Sequence, residues 1–173
     1  MPSSRRMKEM STNPQNQARI KLTALLNSQR YAVLATVGTD GVPHTSLMAF
    51  APTPDLTRLI FATRRDTRKY ASIRSNPTVA LLIDNRDNVP EDVERAIAVT
   101  ATGEAQELRG KARARGSDLY LARHPYMADL VTSPDCALIQ VNVTVYQIVS
   151  QLDEIVYWRP TAESDGHPKE TIG

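Results

Sequence analysis

The sequence predicts a mainly β fold of the α+β type: an antiparallel sheet curled into a barrel, with helices packed around it. Three observations carry this expectation. Seven strand-like runs occur along the chain, and most are joined by turns too short for a crossover helix, which favours antiparallel pairing. Only three segments have helical periodicity, and they do not alternate with strands as βαβ units would. The chain has 7 glycines and neither a G-x-G-x-x-G fingerprint nor a P-loop, so the parallel nucleotide-binding folds that use them are poor candidates.

Residues 1–16 are polar, with Arg5, Arg6, Lys8 and two prolines, and read as a mobile tail without the apolar run of a signal peptide. One folded domain is expected over 17–160, and a second polar tail over 161–173. Ala18, Leu22 and Leu25 recur at i, i+4 and i+7, which makes an amphipathic helix of about three turns. Tyr31–Val37 is apolar and rich in β-branched or aromatic residues, Thr39-Asp40-Gly41 is a turn signal, and Val42–Phe50 returns as a second strand. Ala51–Asp55, with two prolines, reads as another turn before the strand Arg58–Ala62. A short helix over Thr67–Ser75 is stopped by Asn76-Pro77, because the residue before proline is pushed out of the α region.

Thr78–Asp84 is a continuous apolar strand, which suggests burial on both faces, and residues 85–92 form a polar loop. Arg95–Leu108 contains a long strand in which Ile97, Val99 and Ala101 alternate with smaller or polar residues. Gly110–Arg123 is a cationic helix weakened at Gly116, with Lys111, Arg113 and Arg115 on its solvated face. Cys136–Gln151 and Glu154–Trp158 are the last strands, parted by a turn at Leu152-Asp153.

A chain of 173 residues with 41% hydrophobic and 23% charged content is long enough for a core of its own. Its net charge of +2 is spread along the chain and aromatics are 5%, which argues against a nucleic-acid partner. No stretch approaches the ~20 apolar residues of a membrane span, so a soluble cytoplasmic protein is expected. Cys136 is the one cysteine, which excludes an intrachain disulfide, and its apolar surroundings suit a buried, inert thiol.

Side-chain chemistry alone is sparse. His44, His124 and His167 are widely spaced, with no HExxH, CxxC or nucleophile elbow, so no metal site is expected and no catalytic residue can be named. A bound cofactor would have to supply any chemistry. The segment that could hold one is 63–69, where Arg64, Arg65, Arg68 and Lys69 join the hydroxyls of Thr63 and Thr67 at a strand-to-helix junction. Free helix amides, a favourable dipole and cationic side chains together suit a phosphate monoester. The plain alternative is a solvated basic turn.

Phe61-Ala62-Thr63, Thr67-Arg68-Lys69 and Ser75-Asn76-Pro77, after the strand Val42–Phe50, resemble the FMN-binding split β-barrel proteins, in particular the pyridoxamine 5′-phosphate oxidase-like group. That group carries Ser-Arg-Lys at the helix start, where this chain has Thr67, Arg68 and Lys69. A second, distant match is Glu154-Ile155-Val156-Tyr157-Trp158, similar to the family's last strand, Glu-Ile-x-Phe-Trp. The resemblance spans about Ala18 to Pro160 and implies a homodimer with the cofactor site at its interface. It implies that Arg68 and Lys69 bind the FMN phosphate, with Ala62 and Thr63 at the strand end and hydroxyls or amides from Thr63 and Thr67. Ser46, Leu47 and Met48 would lie along the flavin and ribityl chain. Ser46 stands where the oxidases have an arginine, which Arg64 or Arg65 could replace. Trp158 would cover the isoalloxazine from the partner subunit, or else fill a core site at the strand end.

The departures bear on the substrate. The oxidases bind their substrate's phosphate with Tyr, Arg and Ser four residues apart along a helix, and here that frame reads Tyr120, His124, Ala128. Their substrate-facing Lys aligns with Ala51, and their Arg-Leu-His-Asp-Arg run is replaced by Arg159-Pro160-Thr161-Ala162-Glu163. Several charge-assisted bonds, about 1.5–3 kcal/mol each, are missing, which argues against vitamin B6 oxidation. The resemblance implies an FMN-dependent oxidoreductase acting on another small molecule. The alternatives are a deazaflavin-dependent reductase, or a non-catalytic flavin- or haem-binding stress protein with His124 or His167 as iron ligand.

Overall fold

In the computed structural model, which describes residues 13–150 and 154–161, Asn13 caps the first helix, α1 (Pro14–Ser28). Its side chain accepts the Gln15 amide at 2.9 Å, and Pro14 sits at the first helical position, where no amide proton is needed. Helix α1 thus takes in Pro14, Gln15 and Asn16, which the sequence assigned to the tail, and buries Ala18, Leu22, Leu25 and Leu26. The rest of both predicted tails, with His167, and the turn at Leu152-Asp153 lie outside the described residues.

Eight strands follow among the described residues: β1 (Tyr31–Val37), β2 (Pro43–Ala49), β3 (Ala51–Pro52), β4 (Arg58–Arg64), β5 (Thr78–Asp84), β6 (Ala98–Glu107), β7 (Cys136–Ser150) and β8 (Glu154–Trp158). The expected turn after β2 holds the two-residue β3, which pairs with Leu59 and Ile60 of β4. Between strands lie α2 (Arg68–Ser75), α3 (Asp92–Arg95), α4 (Gly110–Arg123), a 3-10 turn (Pro125–Met127) and α5 (Ala128–Thr132). The sequence reading assigned no helix at α3 or α5, since four or five residues leave no readable period.

All strands pair antiparallel in one curled sheet of order β2-β1-β5-β6-β7-β4-β3, with β8 added to β7. The expected α+β fold, an antiparallel split barrel with peripheral helices, is therefore present. Strand β2 hydrogen-bonds β1 alone, and β4 beyond Ile60 hydrogen-bonds β7 alone, so each presents a free edge. The long strand β7 holds the sheet together by pairing with β6 on one edge and with β4 and β8 on the other.

The main core fills the inside of the curl with Leu22, Leu26, Leu34, Phe50, Leu59, Phe61, Leu81, Ile83, Ile139 and Tyr146. A second layer lies outside, where α4 and α5 cover Ile60, Ala62 and Leu138 with Tyr120 and Val131. Strand β4 and the first part of β7, residues 136–141, are thus buried on both faces. Strand β5, expected to be, alternates instead: Val79, Leu81 and Ile83 point inward, while Ala80 and Leu82 are half-buried. The covering helices lie over β4 and β7, and an apolar run alone cannot show which strand they choose.

Gly116 is not merely a weak point of α4. A Cβ there would come within 2.5 Å of Leu108 Cδ1 and 3.2 Å of Leu138 Cδ2, so glycine lets the helix lie close on the sheet. Nor is Arg113 simply solvated, because its guanidinium reaches back to the Val131 carbonyl at 2.9 Å. Cys136 is buried, as expected.

Candidate functional site

The free edges of β2 and β4 bound a cleft of about 370 Å³. Met48 and Ala62 give it a buried apolar floor, while Leu47, 71% exposed, stands on the rim. At the far end of β4 the chain turns through residues 65–67 into α2, which brings Thr63, Arg64, Thr67 and Lys69 to the same wall. Seven of the ten residues singled out from sequence therefore meet in one place: Leu47, Met48, Ala62, Thr63, Arg64, Thr67 and Lys69.

The junction is built on the two threonines. Thr67 is the N-cap of α2: its hydroxyl accepts the Tyr70 amide and donates to the Arg64 carbonyl at 2.8 Å. With that proton committed, Thr67 accepts the Thr63 hydroxyl at 3.1 Å, which ties strand end to helix start. The helix supplies no acceptor for the Arg68 and Lys69 amides, which are the first two of its frame and add partial positive charge.

The cationic corner is less positive than its composition suggests. Arg64 forms a two-point pair with Asp66, at 3.0 and 2.7 Å, which raises the guanidinium's pKa and lowers the carboxyl's. Arg65 turns away to Glu107 at 2.5 Å and to the Pro134 carbonyl. Burial works against ionised Glu107, yet hydrogen bonds from Arg65 and Tyr70 hold it below the usual carboxylate range. Arg68 pairs with Asp40 at 3.3 Å and lines a separate hollow beside Gly38 and Ser72. Among the described residues Lys69 forms no ion pair, and it is the cation left to the cleft.

Three expected residues stand elsewhere. Ser46 pairs with Leu34 one step along β2 and does not line the cleft; Arg68 faces Asp40 instead. Trp158 is 9% exposed inside the barrel, its ring centroid 5.8 Å from that of Tyr146, as the core reading has it. Successive strand residues point to opposite faces, and the exposed aromatic of β8 is Tyr157.

Conversely, Tyr31, Tyr126, Met127 and Leu130 line the cleft and were missed. The helical frame Tyr120, His124, Ala128 does not exist as one helix: α4 stops at Arg123, because Pro125 bars His124 from helical backbone angles, and His124 adopts φ −128° and ψ 64°. The chain then turns, presenting Tyr126 to the cleft and burying His124 completely. That proline was the available signal.

Both ring nitrogens of His124 are engaged, Nε2 with the Phe50 carbonyl at 2.8 Å and Nδ1 with the Tyr126 hydroxyl at 2.9 Å. Burial pushes its pKa below the ordinary 6.5, helped by the nearby charges of Arg123 and Arg30. The unfolded chain therefore binds a proton at a higher pH than the folded one. The resulting stabilisation is complete above about pH 6.5 and declines as pH falls toward the folded value. The melting temperature should drop between pH 7 and 5.5, before Glu107 titrates below about 4.5. A flat profile across that window would mean that His124 ionises freely when folded.

Among the described residues no group of three or more His, Cys, Asp or Glu gathers to hold a metal, and no helix is long and apolar enough to cross a membrane.

A family model described as pyridoxamine 5′-phosphate oxidase matches residues 18–150. No curated protein sequence matches. Among solved structures the fold is similar to a haem-binding protein from Mycobacterium smegmatis, with 15% identity and TM-score 0.71 over 79% of this chain and 55% of that one. It is similar to ChuZ from Campylobacter jejuni, with 14% identity and TM-score 0.73 over 88% of this chain and 63% of that one. A third is General Stress Protein 26 from Bacillus anthracis, with 21% identity and TM-score 0.64 over 83% of this chain and 98% of that one. Such identities speak to fold alone, whereas the family match runs from α1 to the end of β7: this chain belongs to the pyridoxamine 5′-phosphate oxidase-like family.

Proposed function

We propose that the protein is an FMN-binding cytoplasmic flavoprotein, an oxidoreductase acting on a small molecule other than a B6 phosphate, assembled as a homodimer with the cleft at its interface. The gathering of seven expected residues along the split seam supports this reading most strongly. The donor set suits FMN. Lys69 and two free helix amides can take the phosphate, free strand edges can meet the ribityl chain, and Leu47, Met48 and Ala62 offer apolar surface to the ring. A volume of about 370 Å³ falls within the ~300–1,000 Å³ range of small-molecule sites. Leu47, Tyr31 and Tyr126, each more than half exposed beside the cleft, are surface that an isologous partner could cover.

FMN would supply the electron transfer; the chain binds, orients and shields it. Lys69 anchors one end, Thr63 and Thr67 fix the strand-to-helix corner, and Met48 with Ala62 keeps water from the floor. Neutral His124 in place of the oxidases' arginine leaves no strong site for a substrate phosphate, in keeping with a substrate other than a B6 phosphate.

The protein should purify yellow, and denaturation should release flavin. A colourless protein that takes up no FMN at micromolar concentration would overturn the proposal. Uptake of a deazaflavin in its place would select the related reductase. Haem is the second reading, supported by what the Mycobacterium smegmatis neighbour binds. His124 has no nitrogen to spare for iron, so a Soret band on haem addition would point to another ligand.

A further inference from the structure

Two phenols stand at one end of the cleft. Tyr31 opens β1, Tyr126 lies in the turn after α4, and their hydroxyl oxygens are 3.4 Å apart. From Tyr126 a hydrogen-bonded chain runs inward to His124 Nδ1 at 2.9 Å and from Nε2 to the Phe50 carbonyl at 2.8 Å. A carbonyl only accepts, so Nε2 must carry the proton of the neutral ring and Nδ1 must be the acceptor. Tyr126 therefore donates to His124. Its single proton is then spent, and between the phenols Tyr31 is the donor.

The buried end of this chain fixes the direction of the exposed end. The groups facing His124 keep it so: Arg123 and Arg30 disfavour a second proton, and the Tyr120 ring packs at 5.0 Å. The two bonds at the phenols are unequal. Tyr126 to His124 is of ordinary length, whereas Tyr31 to Tyr126 is at the long limit and is given up at little cost. Tyr31 thus holds the proton most easily re-aimed at a ligand. Leu47, Met127 and Leu130 line the cleft with these phenols, and the Arg30 guanidinium, held on the Arg123 carbonyl at 3.0 Å, brings a positive charge to Tyr126.

We propose that Tyr31 is the hydrogen-bond donor by which the cleft recognises a compound bearing a carbonyl-type acceptor oxygen, with Tyr126 and His124 as positioning residues. This rests on reading the cleft as the cofactor and substrate site. A purely hydrocarbon ligand would leave the chain's direction without use.

The test uses full-length protein, with and without added FMN, and two probes matched in shape: 2-methyl-1,4-naphthoquinone and 2-methylnaphthalene. Tyr31→Phe removes one exposed hydroxyl and keeps the ring. It should weaken the quinone about fivefold, as the loss of one neutral hydrogen bond implies, and leave the hydrocarbon within twofold. Tyr126→Phe should weaken the quinone less, and the nitrogen-15 spectrum of wild-type His124 should show the proton on Nε2. No quinone binding to wild type, equal quinone affinity in Tyr31→Phe, equal loss for both probes, or a proton on Nδ1 would each overturn the assignment. The two FMN conditions separate the claims. A quinone effect without FMN retention leaves the donor standing and removes the flavin; FMN retention with no quinone effect does the reverse.

Discussion

Lys69→Ala should weaken FMN binding at least tenfold, while Arg68→Ala should weaken it less than threefold. The two cations are adjacent in sequence but leave α2 in different directions, since successive helical residues are ~100° apart. Lys69 lines the cleft without an ion-pair partner, so an arriving phosphate gains its full charge-assisted bond. Such bonds are worth about 1.5–3 kcal/mol, or roughly tenfold or more in affinity. Arg68 must first leave Asp40, 3.3 Å away, and swing past the helix end. The pair is more than half exposed on both sides, and pairs of that kind hold by ~1 kcal/mol at most, so some contribution survives. Asp40→Asn should consequently tighten FMN slightly by releasing Arg68. Fluorescence titration of FMN against the three variants at fixed salt decides the matter. A larger loss for Arg68→Ala than for Lys69→Ala would show that Arg68 turns into the cleft when the cofactor binds.

That contrast marks where the sequence stops being legible. Strands and helix α2 could be read because apolar alternation, Thr67 and Asn76-Pro77 act locally, within a few residues of what they determine. The seam residues Leu47, Met48, Ala62, Thr63, Arg64, Thr67 and Lys69 were implied by the family resemblance, whose motifs there are short and local. What could not be read is set by direction and by partners distant in sequence. Glu107 takes Arg65 from 42 residues away, and Asp40 takes Arg68 from 28 residues away. Nothing in a basic run says which of its charges will be neutralised. Trp158 matched a strand-end pattern, yet facing the core or the partner is a choice between two sides of one strand, and a half-step of pleat decides it. The phenol chain joins Tyr31, Phe50, His124 and Tyr126, contributed by β1, the residue between β2 and β3, and the turn after α4. Only the folded sheet brings them together. Pro125, in contrast, was a local signal, and it should have ended the helical frame before Ala128.

Gly103→Ala should destabilise the protein by about 3 kcal/mol or more, the largest effect expected of a glycine-to-alanine change among the described residues. Gly103 lies at the register shift where β6 bulges against β7, opposite Val79 of β5 on its other side. A Cβ there would come within 2.2 Å of the Asn142 carbonyl oxygen and 2.9 Å of its carbon. Those are backbone atoms and cannot rotate aside. Asn142 is held on both edges, paired with Glu104 of β6 and with Arg58 of β4, so relief must come from opening a ladder. Gly116→Ala is the control. Its Cβ would meet the end of the Leu108 side chain, which can yield, and alanine regains ~1 kcal/mol of helix propensity. For a chain of this length 1 kcal/mol moves the melting temperature by ~2–4 °C, so Gly103→Ala should lose ~6–12 °C and Gly116→Ala clearly less. The same strand β7 carries Ala62 and Thr63 through their pairing with Leu138 and Ala137, so a loosened bulge should also weaken FMN binding without touching the cleft. A Gly103→Ala protein that melts within 2 °C of wild type would mean that β6 and β7 do not approach this closely, and the support assigned to the β4 edge of the cleft would go with it.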